Sequence, residues 1–269
     1  MKAISSDANP AFRQWLRIAG DARAARAAGV ALAEGVHLAQ AALDAHVPVD
    51  AILLRRGVLH AQVHALLDRF DQDGATAGTI ARYELAPALY ERLAPVEQGA
   101  GILLQLPIPS VQLPEHAHAD LVYLDGIQDP GNVGAIIRTA AAAGVAHVLA
   151  APGTAALWSP RVLRAGMGAH FRIGLHEHVG PEQLCATLQG DWIGAVARGA
   201  PAPWQLELDK DAGNGWIFGG EGAGISAQAL AICRHRVCVP TTGAVESLNV
   251  AAAAAICLFE RVRTGRRVR

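Results

Sequence analysis

Leu121-Val-Tyr-Leu-Asp125, followed by Asp129-Pro-Gly-Asn132-Val-Gly134-Ala-Ile-Ile-Arg138, decides how this chain is read. The first stretch is an unbroken apolar run of strand length, which fits a strand buried on both faces of a parallel sheet. The second allows a tight turn with close backbone approach, because Gly131 and Gly134 lack Cβ. A helix follows over Val133–Ala143, with Asn132 placed to cap it. The same rhythm recurs downstream. Val145–Ala150, Phe171–Leu175, Trp192–Val196, Trp216–Gly219 and Arg236–Pro240 read as strands. Helices are expected at Pro160–Gly166, Pro181–Leu188 and from Ser247 to about Val262. The predicted class is α/β, a mostly parallel sheet with helices on both faces, whose ligands sit beyond the carboxyl ends of the strands.

Upstream, residues 1–10 read as loose and Ala11–Gly29 as one helix stopped by Gly29. Val30–Glu34 reads as a short strand or a turn. Gly35–Ala45 and Gly57–Asp68 have helical periodicity, and Val49–Leu54 has strand length. Asp71-Gln-Asp-Gly74 signals a turn. Thr79-Ile-Ala and Gly101-Ile-Leu-Leu-Gln are strand candidates around a helix at Pro87–Leu93. These predict a smaller α/β domain over residues 1–105. Prolines 107, 109 and 114 mark 106–119 as a semi-rigid linker, and 120–269 is the second domain. His116 and His118 read as solvated spacer within that linker.

Apolar residues make up 52% and charged residues 17% of the 269, which excludes a disordered chain. No apolar run approaches the roughly 18 residues a spanning helix needs, and the start lacks the pattern of a secretory signal. Cys185, Cys233, Cys238 and Cys257 form no metal-ligand spacing and read as reduced, mostly buried thiols of a cytoplasmic protein. His60 and His64 stand four apart without a third ligand, so no metal is expected. Net charge is −1, yet residues 1–30 and the end Arg261-Val-Arg263-Thr-Gly-Arg266-Arg267-Val-Arg269 are locally basic. Both suit phosphate contacts, or else are solvated arginines and a frayed tail.

Two more loops follow strand-like runs. Gly219-Gly220-Glu221-Gly-Ala-Gly224-Ile-Ser226 is too glycine-rich for packing alone, and fits neither a dinucleotide fingerprint nor a Walker loop. It suits presentation of backbone groups to a flat heterocycle such as adenine, with Glu221 orienting a neighbouring loop or pairing with an arginine. Val239-Pro240-Thr-Thr-Gly243-Ala-Val-Glu246-Ser247-Leu248-Asn249-Val250 ends a strand, turns at Gly243 and opens a small-residue helix with Ser247 as its natural N-cap. Taken singly, each loop also fits an ordinary capped turn, with Arg138 solvated and Ala251–Ala255 a core helix. Three in one domain can converge on one cleft.

In this order the motifs resemble the SpoU/TrmH family of RNA ribose 2′-O-methyltransferases, over most of residues 121–262. Arg164-Ala-Gly-Met-Gly168-Ala-His-Phe171-Arg172 resembles the family's segment between the first two motifs. One departure is Ala251, where members often have serine. Ala33-Glu-Gly-Val-His-Leu-Ala and Val96-Glu-Gln-Gly-Ala-Gly-Ile are similar to the family's L30e-like substrate-binding module. The resemblance implies a trefoil-knotted SPOUT methyltransferase domain, a homodimer with its active site near the subunit interface, and structured RNA as substrate, 23S ribosomal RNA before transfer RNA. It implies S-adenosyl-L-methionine held by loops around Gly219, Gly220, Gly224, Val239, Pro240, Gly243 and Leu248. Arg138, Asn132, Glu221, Ser247 and Asn249 become the catalytic candidates. Deprotonating Arg138 at pH 7 would cost roughly 8 kcal/mol, so an electrostatic role on the oxyanion and adjoining phosphate is preferred to a base. Two alternatives remain beside this reading. One is a non-catalytic RNA-binding assembly factor on the same scaffold. The other is a nucleotide-binding α/β enzyme of another class, which needs a phosphate loop the chain lacks.

Overall fold

The structure, a computed structural model, describes residues 1–57, 60–72, 80–94, 99–209, 212–243 and 245–265. In chain order they form β1 (Lys2–Ile4), α1 (Pro10–Gly20), α2 (Ala22–Ala28), β2 (Val30–Glu34), α3 (Val36–Asp44), β3 (Ala51–Arg55) and α4 (Ala61–Gln72). Next come β4 (Ala81–Leu85), α5 (Pro87–Leu93), β5 (Ile102–Pro107), β6 (Leu121–Asp125), α6 (Pro130–Ala142), β7 (His147–Ala150) and α7 (Pro160–Gly166). The chain closes with β8 (Gly174–Glu177), α8 (Leu184–Thr187), β9 (Trp192–Ala195), β10 (Gly215–Gly219), α9 (Ala227–Ile232), β11 (His235–Val237) and α10 (Val250–Gly265). Parts of several sequence expectations lie outside the described residues: Val58 and Leu59, Asp73 and Gly74, Thr79, Val96 to Gln98, Ala244, and the arginines from Arg266 onward.

Met1–Ser110 with Trp158–Phe171 forms one compact unit, and Val111–Leu157 with Arg172–Arg269 the other. α7 thus groups with the first unit, although it lies inside the span 120–269 expected for the second domain.

The first unit holds a five-stranded sheet in the order β1-β4-β3-β5-β2. β1, β4 and β3 run parallel, whereas β5 is antiparallel to both β3 and β2. α1 starts where the Asn9 side chain accepts the N–H groups of Ala11 and Phe12, with Pro10 in the first helical position. Its apolar face, Phe12, Trp15 and Ile18, is buried with Leu32, Leu53, Leu85 and Leu103 of the strands. The helix expected over Ala11–Gly29 is in fact two. Asp21 is extended between them (φ −134°, ψ 108°), and its carboxylate accepts the Arg23 N–H at 2.8 Å, which starts α2. Gly29 ends α2 in the left-handed region as expected. Three further differences are local. Residues 2–4 are a strand rather than loose, Ile80 precedes β4 instead of belonging to it, and β5 runs through Leu106 and Pro107 into the expected linker.

The second unit holds six strands in the order β11-β9-β10-β6-β7-β8, every pairing parallel. Leu121, Tyr123, Leu149, Leu184, Trp192 and Ile217 are buried in one cluster. The Tyr123 hydroxyl donates to the Val179 carbonyl at 3.0 Å, and burial raises its pKa. The expected helix Pro181–Leu188 is a 3-10 turn followed by the single turn α8. Near the end of α10, Arg261 meets the Asp120 carboxylate at 3.5 Å and donates to the Ala212 carbonyl at 2.8 Å. Asp120 also accepts the Asn214 N–H at 2.9 Å, so that end of α10 is tied to the chain entering β6 and β10. Register aligns the opposite edge: Asp125 pairs with Gly219, Phe218 with Ala195, and Ala195 with Val237. The loops after β6, β10 and β11 therefore leave from one edge, where open parallel sheets bind ligands.

Candidate active site

Asp129 precedes α6, and its Oδ1 accepts the Asn132 N–H at 2.7 Å, with Pro130 next to it. Asp129 is thus the N-cap that the sequence had assigned to Asn132, because the helix begins at Pro130. With its backbone inside the first turn, Asn132 has its side chain free to reach another loop. Its Nδ2 donates to Glu221 Oε1 at 2.6 Å. The third loop joins them. Asn249 Nδ2 donates to Asn132 Oδ1 at 2.9 Å and lies 3.4 Å from Glu221 Oε1. Asn249 Oδ1 accepts the N–H groups of Ala251 (2.9 Å) and Ala252 (3.3 Å). That capping fixes the amide, oxygen towards α10 and NH2 towards Asn132. Asn249 therefore takes the cap role expected of Ser247, and α10 begins at Val250. One carboxylate thus receives two amides from the starts of two helices, ends that carry partial positive charge.

The glycine loop after β10 folds back on itself. Gly220 donates to the Asp125 carbonyl at 3.0 Å, and Gly224 to the Gly220 carbonyl at 2.9 Å. Ser226 N–H donates to Asp125 Oδ2 at 2.6 Å. A Cβ on Gly219 would sit 2.1 Å from the Gly224 carbonyl carbon, so no side chain fits there. Gly224 itself adopts φ +68°, which favours glycine. A cavity of about 510 Å³ opens between this loop and the one after β6. Asp125, Gln128, Asp129, Asn132, Glu221 and Ser226 line it with the backbone of Gly126, Gly220 and Gly224, and no lysine or arginine does.

Residues 120–259 match the family model described as the SpoU rRNA Methylase family. The chain belongs to that family. It is 30% identical over 260 residues to the 23S rRNA (guanosine(2553)-2′-O)-methyltransferase of Bacillus subtilis, covering 96% of this chain and 98% of that one. It is likewise 30% identical over 276 residues to an uncharacterized tRNA/rRNA methyltransferase of Synechocystis, covering 97% and 93%. The SpoU methyltransferase AviRb of Streptomyces viridochromogenes, solved with AdoMet, shares the fold at a TM-score of 0.83 and 24% identity, covering 96% of this chain and 100% of that one.

The SpoU match spans all three hydrogen-bonded residues and the whole cavity lining. The other expected site residues are not part of that lining. Arg138 is exposed on α6. Six residues beyond Asn132 is about 240° of rotation, so the two cannot share a helix face. Val239 is half-buried and Pro240, Gly243, Ser247 and Leu248 are exposed, all between β11 and α10. β11 ends at Val237, short of the expected Pro240. The sequence reading gave no role to Asp125 or Ser226, although a carboxylate closing an apolar strand run was a usable signal.

Among the described residues, no group of three or more His, Cys, Asp or Glu is placed to hold a metal ion, and no helix is long and apolar enough to cross a membrane. The four cysteines are free; Cys257 is buried, but Cys185 is exposed, against the expectation of mostly buried thiols. Burial pushes Cys233 up to about 11 and Cys257 up to about 12, which keeps both as inert thiols.

Proposed function

We propose that this protein transfers a methyl group from S-adenosylmethionine to a ribose 2′-oxygen of ribosomal RNA. One observation carries the reading: Asn132, Glu221 and Asn249, from three separate loops of a SpoU-family chain, meet in one hydrogen-bonded cluster beside the cavity. The Bacillus subtilis relative, similar along nearly the whole chain, supports ribosomal RNA as substrate.

The residues present fit the methyl donor. A cavity lined by carboxylates and amides and free of lining cations suits a positively charged, phosphate-free group, and disfavours a nucleotide triphosphate or dinucleotide. S-adenosylmethionine, when bound, supplies a methyl group already activated by its sulfonium charge. Gly219, Gly220 and Gly224, with Val239, Pro240, Gly243 and Leu248 of the third loop, would hold it; of these, Gly220 and Gly224 line the cavity. Asn132, Glu221 and Asn249 hold the three loops in register, and Ser247 adds an exposed hydroxyl for the ribose. Arg138 is exposed and meets no carboxylate among the described residues, so its guanidinium is available to a phosphate. It stays protonated and stabilises the developing oxyanion, while the hydroxyl proton leaves to water or phosphate. α10 exposes Ala252, Ile256 and Phe259 at helical spacing, a stripe we assign to a second copy of the chain in a knotted, dimeric enzyme. The first unit serves as the RNA-holding module.

Mapping 2′-O-methyl sites in total RNA with and without this gene tests the assignment. One ribosomal RNA ribose should lose its mark. Loss of a base methylation would overturn the reaction, and loss from transfer RNA would overturn the substrate.

A further inference from the structure

We infer that the exposed face of α1, continued onto the start of α2, is a phosphate-binding surface for the RNA, formed by Arg13, Arg17 and Arg23. The inference rests on the RNA reading above and names where the first unit would grip. α1 and α2 carry four arginines and no acidic residue, in a chain of net charge −1. Arg13 and Arg17 stand one turn apart, opposite the buried face of Phe12, Trp15 and Ile18. Arg23 opens α2, and all three are exposed.

What separates these arginines from their neighbours is the lack of a carboxylate. Arg13 Nε donates only to the Asp7 carbonyl, at 3.2 Å, and none of the three forms an ion pair among the described residues. Elsewhere in the first unit arginines are matched: Arg55 with Glu91 at 2.9 Å, Arg56 with Glu84 at 3.0 Å, Arg69 with Asp44 at 2.9 Å and Arg82 with Asp71 at 2.6 Å. Arg92 lies 3.7 Å from Asp7 and Arg164 3.8 Å from Glu34. Arg161, exposed on α7, is one other without a carboxylate. Asp21, the acid between the helices, has its carboxylate engaged as the α2 N-cap. A matched arginine must give up its carboxylate before it can take a phosphate; these three need not, and each guanidinium fork can bind one bidentately.

A lipid surface is the poorer occupant, because neither helix exposes a large apolar side chain to enter it. The acidic cavity of the second unit repels phosphate, so the RNA backbone has to be held by cations elsewhere.

Two triple variants of the full-length protein test this, each removing three positive charges: R13Q/R17Q/R23Q, and R55Q/R69Q/R82Q as control. Affinity for protein-free 23S rRNA is measured from 50 to 200 mM salt, with thermal melting and S-adenosylmethionine binding as checks of the fold. The first triple should lower the log–log salt slope by about 2 and weaken binding about tenfold or more, raising KM for RNA with kcat kept at saturation. The control triple should keep the wild-type slope, and R13K/R17K/R23K should restore most of the affinity. Equal losses in both triples, or a wild-type slope in the first while wild type still methylates the RNA, would overturn this surface alone. A wild-type protein that neither binds nor methylates ribosomal RNA would overturn the underlying reading as well.

Discussion

Phe12, Trp15 and Tyr90 fill the core against the mixed sheet of the first unit, whereas the parallel sheet of the second is built around glycines that nothing larger can replace. A Cβ at Gly215 would meet the Trp192 ring at 2.2 Å, and one at Gly219 would meet the Gly224 backbone. Each unit leaves buried side-chain polar atoms without a hydrogen bond among the described residues, the Trp216 indole N–H in the second. The Glu34 carboxylate oxygens and the Tyr90 hydroxyl are buried without a hydrogen bond among the described residues, and burial raises the Glu34 pKa with Arg164 opposing. In the second unit, the carboxyl edge of the sheet is closed by bonds between its loops. Trp216, Tyr123 and Phe218 fill the second core as well. At the carboxyl edge of that sheet, the missing side chains of Gly219 and Gly220 let the glycine loop fold on itself and approach the loop after β6.

That contrast predicts separable effects. Phe12→Ala should cost the first unit about 4 kcal/mol, from lost burial and the cavity left behind. S-adenosylmethionine affinity of the folded protein should be unchanged. Denaturation followed by calorimetric titration reads both, and a parallel fall in cofactor affinity would break the division of labour. Glu221→Ala and Asn249→Ala should each slow methyl transfer by about 100-fold or more, near 3 kcal/mol. Because the two share one network, the double variant should lose little beyond the worse single one. Additive losses under single-turnover conditions would mean that the residues act separately.

Acid should strike the second unit through His176. Burial, then the neighbouring His147 at 3.0 Å, lowers its pKa to about 4. The unfolded chain takes up the proton near the ordinary histidine value, so stability falls as pH drops from about 6.5 towards 4 and is untouched above 7. The loss should be on the order of 2 kcal/mol by pH 5, and smaller in His176→Gln. Thermal melts across that range check it. Smallest is Asp129→Ala, which removes the α6 cap and should cost about 1 kcal/mol, read as a slight fall in melting temperature.

Much of this was legible in the sequence because it was local. The ranges of β6, α5 and α7 were read without change, since an unbroken apolar run or a proline start marks each. Asn132, Glu221 and Asn249 were picked from their loops, and the structure joins them. What failed depended on distance or phase. β1 is three residues long and exists by pairing with β4, some eighty positions away, which no window sees. Ser247 and Asn249 are both good capping residues, and only the hydrogen bonds of Ala251 and Ala252 choose between them. Placing the α6 cap at Asn132 instead of Asp129 hid that the Asn132 side chain is left to reach Glu221 in another loop.

Transfer of labelled methyl from S-adenosylmethionine to protein-free 23S rRNA, followed by nucleoside analysis, tests the central claim most directly. The account predicts label on a ribose 2′-oxygen from wild type and a deep loss of it from Glu221→Ala. Label on a base, or transfer indifferent to that substitution, would contradict it.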